Sequence, residues 1–248
     1  SSTTGDPLQP YTWQFRVAPQ GGTGVFTDTG HAIGYEGDTY TTAAWGDLDG
    51  DGDFDGVLGY YPEGEVWLND GGVQGGTPGD FSDSGARFPS EDLSTILLGD
   101  VDDDGDLDAY LGYNNPNSTG LYDQVWLNDG NGVLTVTLQR LSVWPTTDAA
   151  FGDLDGDGDL DLAVSSTYGD AVWTQEGVGT GAFTQTYALD MVSGSIDVGD
   201  VDGDGDLDIV GKAIWLNDGG MQGGTPGDFY TSGISLNNGS DVDGVRLA

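Results

Sequence analysis

The sequence predicts an all-β protein, a β-propeller built of four-stranded blades. Three observations support this fold class. One acidic nonapeptide recurs four times, and its starts lie 53, 53 and 47 residues apart. Each copy lies between two apolar stretches, and a Trp-containing stretch follows it. The 45 glycines among 248 residues indicate many turns rather than long helices.

The nonapeptide sets the length of the repeat. It reads DLDGDGDFD at 47–55, DVDDDGDLD at 100–108, DLDGDGDLD at 153–161 and DVDGDGDLD at 200–208. A spacing of about 40–55 residues suits a four-stranded propeller blade, whereas leucine-rich and β-helical repeats are shorter. Each copy therefore marks one blade.

The apolar stretches on either side of each acidic loop are predicted to be the first and second strands of a blade. In three repeats the third strand ends in Asn-Asp-Gly, which favours a tight hairpin into the fourth strand. A Trp occupies the equivalent mid-strand place in each repeat and near the N-terminus, and we expect this set to be core. The set is Trp13, Trp67, Trp126, Trp173 and Trp215.

The four complete blades are predicted at about 41–88, 94–141, 147–189 and 194–236. At the N-terminus, residues 20–30 resemble residues 74–85, which belong to the back half of the first blade. We therefore predict one domain over 1–248, a five-bladed propeller whose closing blade combines 237–248 with 8–34. Closure would hide the two unpaired edges. The alternative is a fragment of a larger propeller.

The charge balance excludes some partners. The 43 acidic and 5 basic residues give a formal net charge of −38, which repels nucleic acid and anionic membrane surfaces. No apolar run approaches the roughly 20 residues that span a bilayer, so we expect no membrane insertion. The chain has no cysteine, and its polar start is not a signal peptide. We expect a secreted or cell-surface protein whose signal has been removed.

Each acidic loop offers carboxylates at positions 1, 3, 5 and 9, a backbone carbonyl at position 7 and glycine at position 6. Calcium prefers such oxygen ligands, and glycine allows the sharp turn around an ion. An EF-hand begins alike but needs a carboxylate at position 12, where this chain has Leu58, Leu111, Val164 and Gly211. We therefore predict calcium between two strands, in a structural rather than a sensing role. The alternative is that these aspartates only add solubility.

These residues resemble the FG-GAP repeats of integrin α chains and the bacterial VCBS repeats, which are calcium-binding β-propeller families. Four loops in register and the trailing WLNDG extend the resemblance over nearly the whole chain. It implies about four Ca²⁺ ions, one in each complete blade. The implied side-chain ligands are Asp47, Asp49, Asp51, Asp55, Asp100, Asp102, Asp104, Asp108, Asp153, Asp155, Asp157, Asp161, Asp200, Asp202, Asp204 and Asp208. The implied backbone-oxygen ligands are Asp53, Asp106, Asp159 and Asp206. The integrin ring is larger, so the number of blades does not carry over.

Loops at the opposite ends of the blades differ most between repeats, and binding usually resides in such loops. They contain Tyr, Trp and Asn, which suit sugar or peptide surfaces, although each residue could instead be ordinary packing. The candidate ligand-binding residues are Tyr60, Tyr61, Tyr113, Asn115, Tyr122, Trp144 and Tyr168.

The function predicted is an extracellular recognition or adhesion module that binds a protein or a glycan, within this chain or as part of a larger polypeptide. The alternatives are a lectin with sites between blades, or a structural surface-layer or spacer domain of a salt-loving organism. An enzyme is not expected, because the chain has one histidine, one lysine and no cysteine, and no nucleophile–base pair suggests itself.

Overall fold

The structure is a computed structural model that describes residues 33, 40–71, 75–77, 79–114, 122–141, 144–175, 180–189, 194–219 and 224–235. Within these residues every regular element is a β-strand. The strands are β1 (Tyr40–Gly46), β2 (Asp55–Tyr60), β3 (Glu63–Asn69), β4 (Phe81–Pro89), β5 (Leu93–Gly99), β6 (Asp108–Tyr113), β7 (Gln124–Leu127), β8 (Thr135–Val136), β9 (Thr146–Gly152), β10 (Asp161–Ser166), β11 (Asp170–Gln175), β12 (Phe183–Leu189), β13 (Asp197–Gly199), β14 (Asp208–Val210), β15 (Ala213–Asn217) and β16 (Phe229–Ser235).

The strands form four sheets of four strands each, which we call blades 1 to 4 in chain order. Within a blade the strands lie in sequence order, and each neighbouring pair is antiparallel. The predicted all-β fold of four-stranded blades is therefore confirmed. The closing blade predicted from 237–248 and 8–34 lies outside the described residues, apart from Ile33. A single five-bladed domain over 1–248 stays a prediction.

The connections between third and fourth strands correct one expectation. Residues 70–80 separate β3 from β4, and residues 218–228 separate β15 from β16, so Asn-Asp-Gly does not form a tight hairpin there. The asparagine instead holds a wide loop. Asn69 Oδ1 accepts the N–H of Gly79 at 2.8 Å, and Asn217 Oδ1 accepts the N–H of Gly227 at 2.9 Å.

The hydrophobic core lies between successive blades. Three clusters of buried side chains each combine residues of two neighbouring blades. Representative members are Val57 with Leu111, Tyr110 with Leu162, and Val172 with Ile209. The second strands β2, β6 and β10 are buried over their whole length, and each contributes residues to a cluster between blades.

A glycine before each of the first three acidic loops lets neighbouring blades approach closely. A Cβ atom on Gly46 would lie 2.6 Å from Leu107 Cδ1, and one on Gly152 would lie 2.8 Å from Leu207 Cδ1. Both leucines occupy position 8 of the acidic loop in the next blade. The repeated Gly-Asp pair therefore serves packing between blades as well as the start of the loop.

Side-chain amides also link the blades. Asn128 Nδ2 donates to the carbonyl of Leu48 in blade 1 at 2.7 Å. Gln175 Nε2 donates to Val101 of blade 2 at 2.7 Å, and Asn217 Nδ2 donates to Leu154 of blade 3 at 2.8 Å. Each acceptor is position 2 of an acidic loop. The residue that ends one third strand thus fixes the loop of the preceding blade.

Candidate functional site

The four acidic loops join the first and second strands of their blades, so each lies at the same end of its blade. Glycine at position 6 has a φ of 97°, 99°, 99° and 100° in the four loops, a conformation that strongly favours glycine. Position 4 also has a positive φ, at 72° in Gly50, 79° in Gly156 and 84° in Gly203. Asp103 takes this conformation in blade 2, with a φ of 57°.

Positions 1, 3 and 9 of each loop bring three carboxylates together. One oxygen from each of the three lies within 4.8 Å of the other two. The groups are Asp47, Asp49 and Asp55; Asp100, Asp102 and Asp108; Asp153, Asp155 and Asp161; and Asp200, Asp202 and Asp208. Each loop thus places three negative groups around one point.

The carboxylate at position 9 is completely buried in all four blades. In blade 1, Asp55 Oδ2 accepts the N–H of Leu48 at 2.7 Å, and Oδ1 accepts the N–H of Asn69 at 2.8 Å. The equivalent pair of bonds, 2.7–2.9 Å long, is made by Asp108, Asp161 and Asp208. Position 9 therefore joins the start of the loop to the end of the third strand.

The loop backbone wraps around the carboxylate at position 1. Asp47 accepts the N–H groups of Asp51 and Gly52, both at 3.0 Å. Asp200 accepts the N–H groups of Asp204 at 3.1 Å and of Gly205 at 3.2 Å. These bonds hold the turn and point the loop inward.

Positions 5 and 7 differ between blades. Asp51 is only 3% exposed, whereas Asp104 and Asp157 at the same position are exposed. Asp51 Oδ2 and both carboxylate oxygens of Asp53 are buried, with no hydrogen-bond partner among the described residues. Both carboxylate oxygens of Asp206 are likewise buried, with no hydrogen-bond partner among the described residues. Buried acceptors without donors are costly, and a bound cation would supply the missing partner.

Burial and mutual repulsion raise the pKa of several loop carboxyls. Burial raises the pKa of Asp55 to about 6 despite its two backbone hydrogen bonds, and the charges of Asp49 and Asp51 add to the rise. Burial raises the pKa of Asp161 to about 7. This cost of gathering carboxylates is offset when a cation binds. Each loop could therefore hold a metal ion through positions 1, 3 and 9.

The connections between second and third strands lie at the opposite end of each blade. Of the candidate ligand-binding residues, Tyr61, Trp144 and Tyr168 are 65%, 50% and 67% exposed. Tyr122 is half-buried, with the guanidinium carbon of Arg140 at 4.7 Å from its ring centroid. These four aromatic side chains remain candidates for contact with a ligand.

Two other candidates are core residues. Tyr60 is buried at the end of β2, and Tyr113 is 2% exposed with its hydroxyl donating to the carbonyl of Pro89 at 2.8 Å. Both residues end a second strand and pack in the protein interior, and their contact with a ligand stays a prediction. Asn115 lies outside the described residues.

A pocket brings two of the exposed aromatic residues together. The ring centroids of Trp144 and Tyr168 lie 5.4 Å apart, with an angle of 57° between their planes. Both line a cavity of about 390 Å³ beside β10, β11 and β12 of blade 3. Trp144 and Leu141 reach it from the connection between blades 2 and 3.

The other polar residues of this pocket were not singled out from the sequence. Asp170, Trp173 and Gln185 line it, and Asp170 is only 2% exposed. The sequence of the Trp-containing third strand contains one signal for this pocket. The residue two places before the Trp is Glu65 or Gln124 in blades 1 and 2, but alanine in blades 3 and 4, namely Ala171 and Ala213.

The Trp residues of the third strands are half-buried rather than fully buried. Trp126, Trp173 and Trp215 pack against the clusters between blades, as expected for core positions. Trp67 donates from Nε1 to Glu65 at 2.8 Å. Trp13 lies outside the described residues.

Antiparallel four-stranded sheets that pack in series, each with an acidic loop between its first two strands, define a propeller-type repeat protein. A family model for the FG-GAP-like repeat matches residues 100–164 and 153–211. Both matches begin at an acidic loop and extend past the loop of the next blade. Residues 100–211 are therefore similar to the FG-GAP-like repeat.

The chain is similar to a solved structure of an Agrocybe aegerita lectin. That structure is described as showing the structural basis of specific recognition of non-reducing terminal N-acetylglucosamine. The sequences are 21% identical, and the TM-score is 0.45. The match covers 75% of this chain and 50% of the lectin chain, so it spans about half of that protein. No curated protein matches the sequence. Among the described residues there is no apolar helix of bilayer-spanning length.

Proposed function

We propose that this protein is a calcium-stabilised recognition module that acts outside the cell. Its acidic loops would bind one Ca²⁺ ion each, and the opposite ends of its blades would bind a protein or a glycan. The observation that carries the proposal is the same triad of carboxylates in all four blades. The oxygen donors fit a hard cation, and the buried, unpartnered oxygens of Asp51 and Asp53 need one.

Each ion would stabilise the fold of its own blade. Each triad combines positions 1 and 3 of the loop with position 9, which already holds the end of the third strand. An ion bound there would tie three strands of one blade together. Because the unfolded chain lacks this site, binding stabilises the fold by mass action, about 2.7 kcal/mol per site at a hundredfold excess over Kd.

Calorimetric titration of chelator-stripped protein tests this part of the proposal. We expect about four bound Ca²⁺ ions, one for each triad, and a rise in unfolding temperature as they bind. Asp155→Ala should remove one ion from the count because it deletes position 3 of one triad. Glu91→Ala, an exposed acidic residue outside the loops, is the matched control and should leave the count unchanged. Binding without stabilisation, or no loss in Asp155→Ala, would contradict the structural role.

We propose binding rather than catalysis. The carboxylates are grouped in metal-type triads, and the residues exposed at the other end are aromatic. A specific observation favours the lectin alternative within this proposal, namely the pocket lined by Trp144 and Tyr168. The net charge of −38 is compatible with a protein outside the cell, where calcium is abundant.

A further inference from the structure

The pocket beside blade 3 exists because two facing side chains are small. Ala171 on β11 pairs with Ala188 on β12, and both line the pocket. In blade 1 the equivalent pair is Glu65 on β3 with Arg87 on β4. Arg87 Nη2 lies 3.2 Å from Glu65 Oε1, so an ion pair occupies this place in blade 1. Blade 3 has the same backbone pairing without the side chains that would fill it.

The missing side chain also leaves a donor without an acceptor. Trp67 Nε1 donates to Glu65 at 2.8 Å, and Trp126 Nε1 donates to Gln124 at 2.9 Å. Trp173, at the same place in blade 3, has Ala171 two residues before it. Its Nε1 is buried and has no hydrogen-bond partner among the described residues, as is also true of Trp215 Nε1 in blade 4, but only Trp173 lines this pocket. A bound molecule with an oxygen acceptor would complete the arrangement that blades 1 and 2 complete internally.

The other polar groups of the pocket are held in place. Asp170 Oδ1 accepts the N–H of Ser166 at 2.7 Å and the hydroxyl of Ser165 at 3.3 Å. Among the described residues both of its hydrogen bonds end on Oδ1, which leaves Oδ2 to accept from a ligand. The amide of Gln185, which lies opposite Trp173 on β12, adds a donor and an acceptor.

These groups select against charged ligands. An anion would meet the carboxylate of Asp170 and a protein of net charge −38. A quaternary ammonium ion would suit the aromatic rings but has no acceptor for Trp173 Nε1. A molecule with both hydroxyl groups and an apolar face meets every requirement. The aromatic rings can cover C–H groups, while hydroxyls accept from Trp173 and donate to Asp170.

We propose that this pocket binds one pyranose ring of a neutral carbohydrate. The inference rests on the proposed recognition function and names its ligand class and its site. Trp144 and Tyr168 contact the apolar face of the sugar, and Asp170, Trp173 and Gln185 fix its hydroxyl groups. The cavity of about 390 Å³ is within the range of about 300–1,000 Å³ typical of small-ligand pockets.

The test uses calcium-loaded protein on an array of neutral glycans, followed by calorimetry with the simplest glycoside that binds. Trp144→Ala and Tyr168→Ala should each weaken binding about tenfold, since each removes one aromatic contact. Tyr230→Ala is the matched control, because Tyr230 is an exposed tyrosine of β16 that does not line the pocket. Its affinity should equal that of the wild type. Equal losses in all three variants would overturn the assignment to this pocket.

A second variant fills the pocket rather than removing its walls. The double substitution Ala171→Glu with Ala188→Arg introduces the blade 1 ion pair into blade 3, and it should abolish glycan binding. Its calcium count and unfolding temperature show whether it is folded. Glycan binding by this folded variant would overturn the proposal.

The outcomes separate this inference from the proposed function. If the protein takes up its calcium and binds no neutral glycan, the sugar assignment is wrong while the calcium loops stand. If a peptide array binds instead, and Trp144→Ala abolishes that binding, the pocket serves a protein partner and the carbohydrate proposal fails. If calcium does not bind at all, the proposed function fails before the pocket is tested.

Discussion

Blades 1 and 3 are alike in the half that contains the first two strands and the acidic loop, and they differ in the outer half, which contains the third and fourth strands. Their position-9 carboxylates are buried and make the same pair of hydrogen bonds, to position 2 of the acidic loop and to the end of the third strand. Their outer strands differ at several places, including one facing pair, which is Glu65 with Arg87 in blade 1 and Ala171 with Ala188 in blade 3. The loop half thus repeats what each blade needs to fold, and the outer half is free to vary.

The ion pair in blade 1 is built into the sheet. Arg87 donates to Asp83 through both Nη1 and Nη2, at 2.9 and 2.6 Å, and also faces Glu65. The guanidinium holds the pKa of Asp83 below its usual range. In blade 3 these charges are replaced by open space lined with aromatic rings. The facing pair therefore contributes to whether this place in a blade is packed or open.

The largest expected effect tests the shared half. Asp55→Ala and Asp161→Ala should each lower the free energy of unfolding by about 3 kcal/mol, because each leaves two backbone N–H groups without an acceptor. Urea denaturation in chelator measures this loss separately from the loss of calcium. Similar losses are expected in blades 1 and 3. A loss below about 1 kcal/mol in one blade only would show that the two blades do not share this bond network.

The next effect tests the divergent half. Arg87→Ala should cost about 2 kcal/mol, because the Glu65 side chain is 1% exposed and would lose its counter-charge. The double variant Glu65→Ala with Arg87→Ala should recover part of that loss and imitate the alanine pair of blade 3. Arg140→Ala, which removes an exposed arginine in contact with the Tyr122 ring, is the control and should cost no more than about 1 kcal/mol. A double variant less stable than Arg87→Ala would contradict this explanation.

The third prediction concerns pH. Burial raises the pKa of Asp170 to about 6, although two hydrogen bonds and the charge of Lys212 lower it. The folded chain therefore keeps a proton between about pH 4 and 6 that the unfolded chain has lost. This contribution to stability is present below about pH 4 and is lost as the pH rises through 6. Blade 1 has Gly64 at the same place and no such dependence.

Paired unfolding measurements on wild type and Asp170→Asn test this dependence. The stability of wild type relative to the variant should be greater at about pH 4 than at about pH 7, by on the order of 2 kcal/mol. Asp129→Asn, at an exposed position outside the loops, provides the control. A difference that does not change with pH would show that burial does not perturb Asp170.

The smallest effect concerns position 4 of the acidic loop. Asp103 has a positive φ of 57°, where the other three loops have glycine. Asp103→Gly should stabilise the protein by about 0.5 kcal/mol, because it relieves this backbone conformation and removes a carboxylate beside Asp159 of blade 3. Gly50→Asp in blade 1 should have the opposite sign. Thermal unfolding in calcium measures both, and equal signs would contradict the loop analysis.

Much of the fold was predictable because the repeat is strong. Four copies of one loop gave the blade period, and the apolar runs on either side gave the first two strands of each blade. The tight hairpin predicted at Asn-Asp-Gly was wrong because this short-range signal does not reveal that Asn69 accepts a hydrogen bond from Gly79. The burial of Tyr60 and Tyr113 was not predictable for a related reason, since burial depends on packing beyond their own strand.

The sequence by itself determined the all-β class, the four-stranded blades and the positions that carry the acidic loops. These follow from local patterns, namely alternating apolar strands, turn-forming glycines and carboxylates at fixed spacing. Only the tertiary structure showed that positions 1, 3 and 9 converge and that, among the described residues, Asp51 Oδ2 and both carboxylate oxygens of Asp53 are left without donors. Only it showed the pocket, because a cavity depends on side chains from two strands and a connection that are distant in sequence. An alanine is unremarkable in sequence, and it opens a cavity only where the facing residue is also small.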